Sequence, residues 1–259
     1  MMGKVYATSD WHSCDFYKEV LNQLNEDDTL YFIGDAIDRG SAGIWTFNAL
    51  WADKRVIMLK GNHEYMLAQY LASEERLQGY VDINGGDVTM KSMSDMTYEE
   101  KEWYIRTINK LPEEIIYHSP KGHAVILEHA GYSPFNMPCR SHDALWDRSH
   151  FSDEWNSGFD KDNLNPQNTY LVHGHTPVQY LKFIYGFKDK PAWTMADFRE
   201  KEEFFNDNLE KMTIKPEIIR YCNGHKFDID MCTVITDRIA LLDLDTFEEI
   251  YFDRENLKK

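Results

Sequence analysis

Cysteine and long apolar runs are both scarce in this sequence. Its four cysteines form no Cys-x-x-Cys pair, which argues against a thiolate zinc site and suits a reducing compartment. No uninterrupted apolar run approaches the about 18 residues of a membrane span. The apolar stretch at 5–9 is too short for a signal peptide. We therefore expect a cytoplasmic protein that makes no membrane contact.

Basic residues are also few. The chain carries 28 lysines and arginines against 44 acidic residues, a formal net charge of −16. An acidic surface repels the phosphate backbone, so we expect no broad nucleic-acid binding. Part of the acidic count is available for metal ligation, which a formal charge ignores. With 259 residues, 42% of them hydrophobic, the chain can bury a real core, and we predict a single domain over residues 1–259.

The first third of the chain repeats a strand, a polar loop and a helix three times. The strands are predicted at 4–9, 29–33 and 55–59, and the helices at 15–24, 42–52 and 64–72. This order predicts a parallel sheet with functional loops at the carboxyl ends of its strands. The remaining elements are a helix at 98–110 and strands at 113–118, 123–128, 170–172, 231–235, 239–243 and 248–252.

Five predicted strands end in loops that carry metal-ligand side chains. These loops are Ser9–His12, Gly34–Gly40, Gly61–Glu64, Glu128–Gly131 and His173–Pro177. Each has an ordinary explanation when taken alone: Asp35 as a helix N-cap, Asn62 as a turn residue, His12 as a turn histidine. Their recurrence at five strand ends favours metal binding. Carboxylates and imidazoles without thiolates suit Mn, Fe, Co or Zn, and one carboxylate can bridge two ions about 3.5–4 Å apart.

Read together, the loops resemble the motifs of the calcineurin-like metallophosphoesterases. The closer resemblance is to the phosphoprotein phosphatase group in its compact bacterial and bacteriophage-lambda form. The group's motifs stand here as SDWHS, GDAIDRG, GNHE, HAG and GHTP, with NGG at 84–86 and LWDR at 145–148 in agreement. The resemblance covers about residues 4–177 and resumes near 228–243. Ser9 and Ser13 replace two glycines of the first motif, but Asp10 and His12 are retained.

The fold implied by the resemblance is α/β (α+β), with two mixed sheets packed as a sandwich and flanked by helices. It also implies two divalent metal ions, with manganese first and iron, zinc and cobalt as alternatives. The implied ligands are Asp10, His12, Asp35, Asn62, His129 and His175, with Asp35 shared by both ions.

Four further residues carry the implied chemistry. His63 would be the general acid, Asp38 would orient it, and Arg39 and Arg148 would hold the phosphate. Glu64 would begin the next helix, where a negative charge is favourable, and a supporting contact with the metal ligands is the alternative role.

The implied reaction is phosphoester hydrolysis by a metal-bound hydroxide. A protein serine/threonine phosphatase acting on phosphorylated proteins or peptides is the first choice. A dinucleoside polyphosphate hydrolase, such as one for diadenosine tetraphosphate, is the alternative, and a non-catalytic binding protein on the same fold is the second. The sequence does not specify the oligomeric state.

Residues 178–227 form a stretch of about fifty residues where compact members of the group need about ten. We predict a helix at 195–211 and interpret the stretch either as packing on the sandwich edge or as a lid, with aromatic residues at 185, 193, 204 and 205. Of the remaining histidines, His173 either supports the site or is structural. The others are taken as surface or turn residues: His118, His123, His142, His150 and His225.

Overall fold

The structure, a computed structural model, describes residues 3–73, 78–131, 141–148, 164–184 and 215–257. Ten strands lie within these ranges, in two five-stranded sheets. The strands are β1 Val5–Thr8, β2 Thr29–Phe32, β3 Val56–Met58, β4 Glu114–His118, β5 Ala124–Glu128, β6 Thr169–His173, β7 Ile219–Tyr221, β8 Lys226–Asp228, β9 Arg238–Asp243 and β10 Glu249–Asp253.

Both sheets are mixed, as predicted. The first has the order β10-β9-β1-β2-β3, with β1, β2 and β3 parallel and the two C-terminal strands antiparallel at its other edge. The second has the order β4-β5-β6-β8-β7, with a parallel centre and an antiparallel strand at each edge. The carboxyl ends of the parallel strands therefore carry the loops that the sequence marks out.

Helices connect the strands and cover the first sheet. They are α1 Tyr17–Leu21, α2 Trp45–Ala52, α3 Asn62–Ala72, α4 Gln78–Asp82, α5 Asp87–Ser92, α6 Tyr98–Lys110, α7 Ser141–Trp146, α8 Val178–Ile184, α9 Thr233–Thr236 and α10 Arg254–Leu257. The prediction of α6 at 98–110 is confirmed. Thr97 caps this helix: its hydroxyl accepts a hydrogen bond from the Glu100 N–H, and the Glu100 carboxylate accepts one from the Thr97 N–H.

Two buried cores lie on opposite faces of the first sheet. Alternation along β1 sends Tyr6 into a core shared with the helices and Ala7 into a core shared with the second sheet. The second core joins Ile33 and Leu59 of the first sheet to Val125 and Val172 of the second. The predicted sandwich of two sheets flanked by helices is confirmed.

The strand predicted at 231–235 is wrong. Cys232 and Asp237 adopt left-handed φ values of 53° and 51°, which interrupt the extended chain and enclose the one-turn helix α9. Two strands that the sequence did not indicate, β7 and β8, lie just before this point. Each has three residues, and Lys226 and Asp228 remove the apolar alternation that would have revealed β8.

Both described ends of the 178–227 stretch belong to the fold itself. Val178 and Leu181 of α8 are fully buried, and Ile219 of β7 is buried at the sheet edge. The predicted helix at 195–211 and the aromatic residues at 185, 193, 204 and 205 lie outside the described residues.

Candidate active site

The predicted site residues are brought together at the carboxyl ends of the parallel strands. Loops after β1, β2 and β3 in the first sheet meet loops after β5 and β6 in the second. Six of the ten predicted residues have a left-handed backbone that non-glycine residues rarely adopt: Asp10, His12, Asp35, Asp38, Arg39 and His175, with φ between 42° and 73°. Such strain is characteristic of sites where side chains must converge.

His12 faces two carboxylates. Its Nδ1 lies 3.0 Å from the carbonyl oxygen of Ile37, so this nitrogen donates and Nε2 carries the lone pair. Nε2 is 3.8 Å from Asp10 Oδ1 and 3.7 Å from Asp35 Oδ2. All three side chains are buried. Asp10, His12 and Asp35 thus form one ligand group.

A second group forms around Asn62, the first residue of α3. Asn62 Oδ1 lies 2.8 Å from His129 Nε2 and 3.0 Å from His175 Nδ1. Asp35 Oδ1 is 3.4 Å from the same nitrogen of His129. The Nδ1 of His129 donates to the carbonyl of Ile33 at 2.9 Å, which orients the ring. Asp35 therefore reaches both ligand groups.

The residues present fit a pair of divalent cations. Two sets each place their ligand atoms within 4.8 Å of one another, and both contain Asp35: one with His12 and His63, the other with His129 and His175. Two buried atoms of the set, Asp10 Oδ1 and His175 Nε2, have no hydrogen-bond partner. The donor set of carboxylate, amide and imidazole matches hard to borderline divalent ions.

The pKa shifts of Asp10 and His129 show how strongly the buried groups of the cluster interact. Burial raises the pKa of Asp10 to about 6. Burial alone would lower the pKa of His129, but the charges of Asp35 and Asp10 outweigh it and raise that pKa to about 10. The carboxylates thus favour a positive charge at this position, which a divalent ion would supply.

Two glycines leave room for the carboxylates. A Cβ on Gly61 would lie 2.2 Å from Asp35 Oδ1, and a Cβ on Gly174 would lie 2.1 Å from Asp10 Oδ2. Both distances are far inside van der Waals contact, so a larger residue would displace a ligand. The glycines of GNHE and GHTP therefore serve a steric purpose at this site.

Glu64 holds the loops after β2 and β3 together. Its carboxylate is fully buried and accepts hydrogen bonds from the backbone N–H groups of Asp35, Ala36 and Gly61 at 2.8, 2.8 and 2.9 Å. Burial raises its pKa to about 7. The prediction that Glu64 lies at a helix start is confirmed, since it is the acidic residue in the first turn of α3. The helix begins two residues earlier, at Asn62, and Glu64 positions the backbone of Asp35.

His63 and Asp38 form a buried pair. His63 Nδ1 lies 2.7 Å from Asp38 Oδ2, and both side chains are fully buried. Burial raises the pKa of Asp38 to about 8 and lowers that of His63 to about 3. Both shifts favour the uncharged form of each group, because burial penalises a charge. The other ring nitrogen of His63 faces Asp35 Oδ2 at 3.8 Å, inside the ligand cluster.

The two predicted arginines lie at this edge. The exposed Arg39 places NH1 at 2.8 Å from His12 Nε2 and NH2 at 2.9 Å from His63 Nε2. Arg148 donates from Nε to the Thr176 hydroxyl at 3.1 Å, and its charge adds to burial in lowering the pKa of His175. Both guanidinium groups are thus within the reach of a ligand at the cluster.

His173 is a supporting residue of the fold. It is fully buried, and its Nε2 lies 2.7 Å from the Tyr221 hydroxyl of β7. Among the histidines set aside, His123 and His225 bond backbone carbonyls of Leu244 and Thr169. The side chain of His142 and the whole of His150 lie outside the described residues.

Sequence reasoning missed three polar residues beside the site. Tyr80 and Thr89 both donate to Asp38, and only the nearby NGG motif hinted at this segment. Asp230 lies close enough for the charge of Asp10 to add to burial in raising its pKa well above the usual range.

The comparisons with known proteins agree with this geometry. The sequence model of the calcineurin-like phosphoesterase family matches residues 3–226. The chain therefore belongs to the calcineurin-like phosphoesterase family. A search of curated proteins gave no significant match. None of the helices that the structure describes has the length and apolarity needed to cross a membrane.

The solved structures that resemble this chain are distant in sequence. A "putative diadenosine tetraphosphatase" is 16% identical, with 97% of this chain and 94% of that chain covered and a TM-score of 0.51. A metallophosphoesterase from Sphaerobacter thermophilus is 14% identical, with 96% and 86% covered and a TM-score of 0.50. A protein serine/threonine phosphatase from Saccharomyces cerevisiae is 12% identical, with 97% and 80% covered and a TM-score of 0.47. The first two structures, with TM-scores of 0.51 and 0.50, show a shared fold, and identities this low leave the substrate open.

Proposed function

We propose that this protein is a metal-dependent phosphatase that removes phosphate from phosphoserine and phosphothreonine in proteins or peptides. Family membership already makes it a metallophosphoesterase, a hydrolase of phosphoesters that uses divalent ions. The observation that carries the finer proposal is the buried pair of His63 and Asp38, with Nδ1 and Oδ2 2.7 Å apart.

The pair matters because leaving groups differ in basicity. An alkoxide leaving from phosphoserine is strongly basic and must be protonated as the bond to phosphorus breaks. A nucleotide leaving from a dinucleoside polyphosphate is a weakly basic phosphate that needs little protonation. A proton donor oriented by a buried carboxylate is therefore most useful for an alkyl ester. In this proposal His63 delivers that proton from Nε2, the nitrogen that faces the cluster.

The ligand cluster supplies the rest of the chemistry. We assign Asp10, His12 and Asp35 to one ion and Asp35, Asn62, His129 and His175 to the other, with manganese as first choice. Bound divalent ions act as Lewis acids and lower the pKa of water. Asp35 Oδ1 also accepts the backbone N–H of His63 at 2.9 Å, so the shared ligand and the proton donor hold a fixed relation.

The arginines have the chemistry to bind the phosphoryl group. Arg39 is exposed, and the two N–H groups that now face His12 and His63 can turn to two phosphate oxygens. Arg148 approaches from the GHTP loop through Thr176. Together they would place the ester between the ions and His63.

Two other functions remain as alternatives. A dinucleoside polyphosphate hydrolase is supported by the shared fold with the "putative diadenosine tetraphosphatase", a likeness of fold only. A non-catalytic binding protein is disfavoured because the ligand atoms, His63 and Arg39 all converge.

The deciding experiment is a substrate comparison on the manganese-loaded protein. We expect kcat/KM for a phosphoserine peptide to exceed that for diadenosine tetraphosphate by about tenfold or more, which is about 1.4 kcal/mol in transition-state stabilisation. Turnover of p-nitrophenyl phosphate with and without manganese is measured alongside. A reversed preference would identify the nucleotide hydrolase, and no metal-dependent turnover of any of the three substrates would indicate a binding protein.

A further inference from the structure

Asp38 is held by two side chains from the segment of α4 and α5 that contribute nothing to the ligand cluster. The Tyr80 hydroxyl donates to Asp38 Oδ1 at 2.8 Å, and the Thr89 hydroxyl donates to the same oxygen at 2.5 Å. The Thr89 oxygen also lies 3.1 Å from the Asp38 backbone nitrogen, from which it accepts a hydrogen bond. Tyr80 and Thr89 together are called the Asp38 clamp below.

The clamp divides the two oxygens of Asp38 between different partners. Both clamp hydroxyls bond Oδ1, which leaves Oδ2 to His63 Nδ1 at 2.7 Å. A carboxylate fixed at one oxygen cannot rotate about its Cβ–Cγ bond, so Oδ2 stays on the line of the imidazole. Tyr80 is 1% exposed and Thr89 is fully buried. Water therefore cannot take the place of either hydroxyl without a rearrangement of the core.

The backbone of the same segment reinforces the clamp. Asp38 and Arg39 have left-handed φ values of 73° and 65°, and the Arg39 N–H donates to the Gly85 carbonyl at 2.9 Å. A Cβ on Gly86 would lie 2.5 Å from Cζ of the Tyr80 ring. The absence of that carbon allows the phenol to reach Asp38. The segment thus holds a strained turn and its carboxylate in one conformation.

We propose that Tyr80 and Thr89 are positioning residues for the reaction, which act through Asp38 to keep His63 aligned as the proton donor. The inference rests on the proposed function, in which His63 protonates the leaving group. Neither residue contacts the ligand cluster in the hydrogen bonds described above, so the clamp governs proton delivery and leaves ion binding to the loops.

A packing role is the competing explanation. The Tyr80 ring contacts Tyr70, with ring centroids 5.6 Å apart, and belongs to the core beside the helices. Tyr80→Phe and Thr89→Val keep the volume and remove only the hydroxyls. A residue that merely fills space would tolerate these changes without any dependence on the substrate.

The test is the dependence of kcat/KM on leaving-group basicity in the manganese-loaded protein. Phenyl phosphate has a more basic leaving group than p-nitrophenyl phosphate and therefore needs the proton more. We expect each clamp variant to lose about tenfold on phenyl phosphate, the low end of what a hydrogen bond to a charged group contributes. On p-nitrophenyl phosphate the loss should stay within about twofold. Metal content measured by elemental analysis should equal that of the unmodified protein.

Matched controls are available in the same core. Tyr104→Phe removes a hydroxyl that bonds Asn48 at 2.9 Å, and Thr46→Val removes one that lies 3.4 Å from the Cys14 carbonyl oxygen. Both residues are buried. Removal of their hydroxyls should change kcat/KM for the two substrates by the same factor. The clamp inference is overturned if the clamp variants behave like these controls.

A double variant tests the clamp separately from the proposed role of His63 as proton donor. His63→Asn alone should show the same substrate dependence, only larger, and adding Tyr80→Phe to it should cost no more than about twofold. If His63→Asn affects both substrates equally, the proposed proton donor is wrong. If His63→Asn shows the dependence and the clamp variants do not, the donor stands and the clamp is wrong.

Discussion

The candidate ligand cluster and the proposed proton-donor pair lie side by side, but they are built differently. The cluster is assembled from loops at five strand ends of two sheets, and most of its residues have left-handed backbones. The pair of His63 and Asp38 depends on side-chain hydrogen bonds from a helical segment outside both sheets. In the proposed mechanism, ion binding thus depends on the sheet framework, and proton delivery depends on a local hydrogen-bond network. Substitutions should separate the two.

Asp35→Asn should have the largest effect, because Asp35 alone belongs to both ligand groups and also accepts the His63 N–H. We expect the loss of both ions and a fall in kcat/KM of more than about 100-fold, beyond the upper end of what a residue outside the ligand shell is worth. Elemental analysis and p-nitrophenyl phosphate turnover measure the two effects. Full metal occupancy in this variant would disprove the shared-ligand assignment.

His63→Asn should have the next largest effect. It should impair proton delivery and leave ion binding unchanged. Turnover of a phosphoserine peptide should fall by about 10²–10⁴-fold, the usual contribution of a general acid. Turnover of p-nitrophenyl phosphate should fall less, because its leaving group needs little protonation, and metal content should be unchanged. Equal losses on both substrates would instead assign His63 to structure or to phosphate binding.

Gly174→Ala should weaken ion binding and leave proton delivery unchanged. Its Cβ would lie 2.1 Å from Asp10 Oδ2 and from Ser9 Oγ, so Asp10 must move. We expect about 10–100-fold weaker manganese affinity by titration, comparable to disturbing a ligand's support, with an unchanged dependence on leaving-group basicity.

Gly79→Ala serves as the matched control for that variant. Its added carbon has only Ile83 Cδ1 nearby, at 3.8 Å, which is an ordinary contact. Normal affinity in Gly174→Ala would falsify the steric argument.

Removal of the ions should also lower the stability of the folded protein. Manganese at 100 times its dissociation constant should add about 2.7 kcal/mol to the free energy of unfolding for one site. Thermal unfolding of chelator-treated protein, with and without added manganese, measures the gain as a rise in Tm. Asp35→Asn should show little of this rise, and an equal rise in that variant would place the stabilising ion elsewhere.

The sequence was sufficient to predict most of the architecture. Residues 98–110 carry helical periodicity, and a capping box lies at their start. Both features are local, and both indicate the helix α6. The ligand residues could be identified because each follows a strand, and parallel strands bring their ends to one edge. The shared position of the motifs at strand ends thus indicated that they form one site.

Other features could not be predicted from local patterns. The three-residue strand β8 pairs with β6, about 55 residues earlier, and β7 pairs with β8 in turn. The charged residues of β8 hide this pairing from the local pattern. Tyr80 and Thr89 gave no signal because a single hydroxyl in a core segment has no periodicity. Glu64 was identifiable as a charged residue at a helix start, but its three backbone partners follow only from the tertiary fold.

The second ligand group joins residues from distant parts of the chain, so its members are synthesised at different times. Asp35 and Asn62 are made early, whereas His175 and the strand β8 beside β6 come more than a hundred residues later. A nascent chain that ends before β6 lacks a donor for the second group. The second ligand group is therefore complete only after His175 is made, whereas Asp10, His12 and Asp35 of the first group all lie within the first 35 residues.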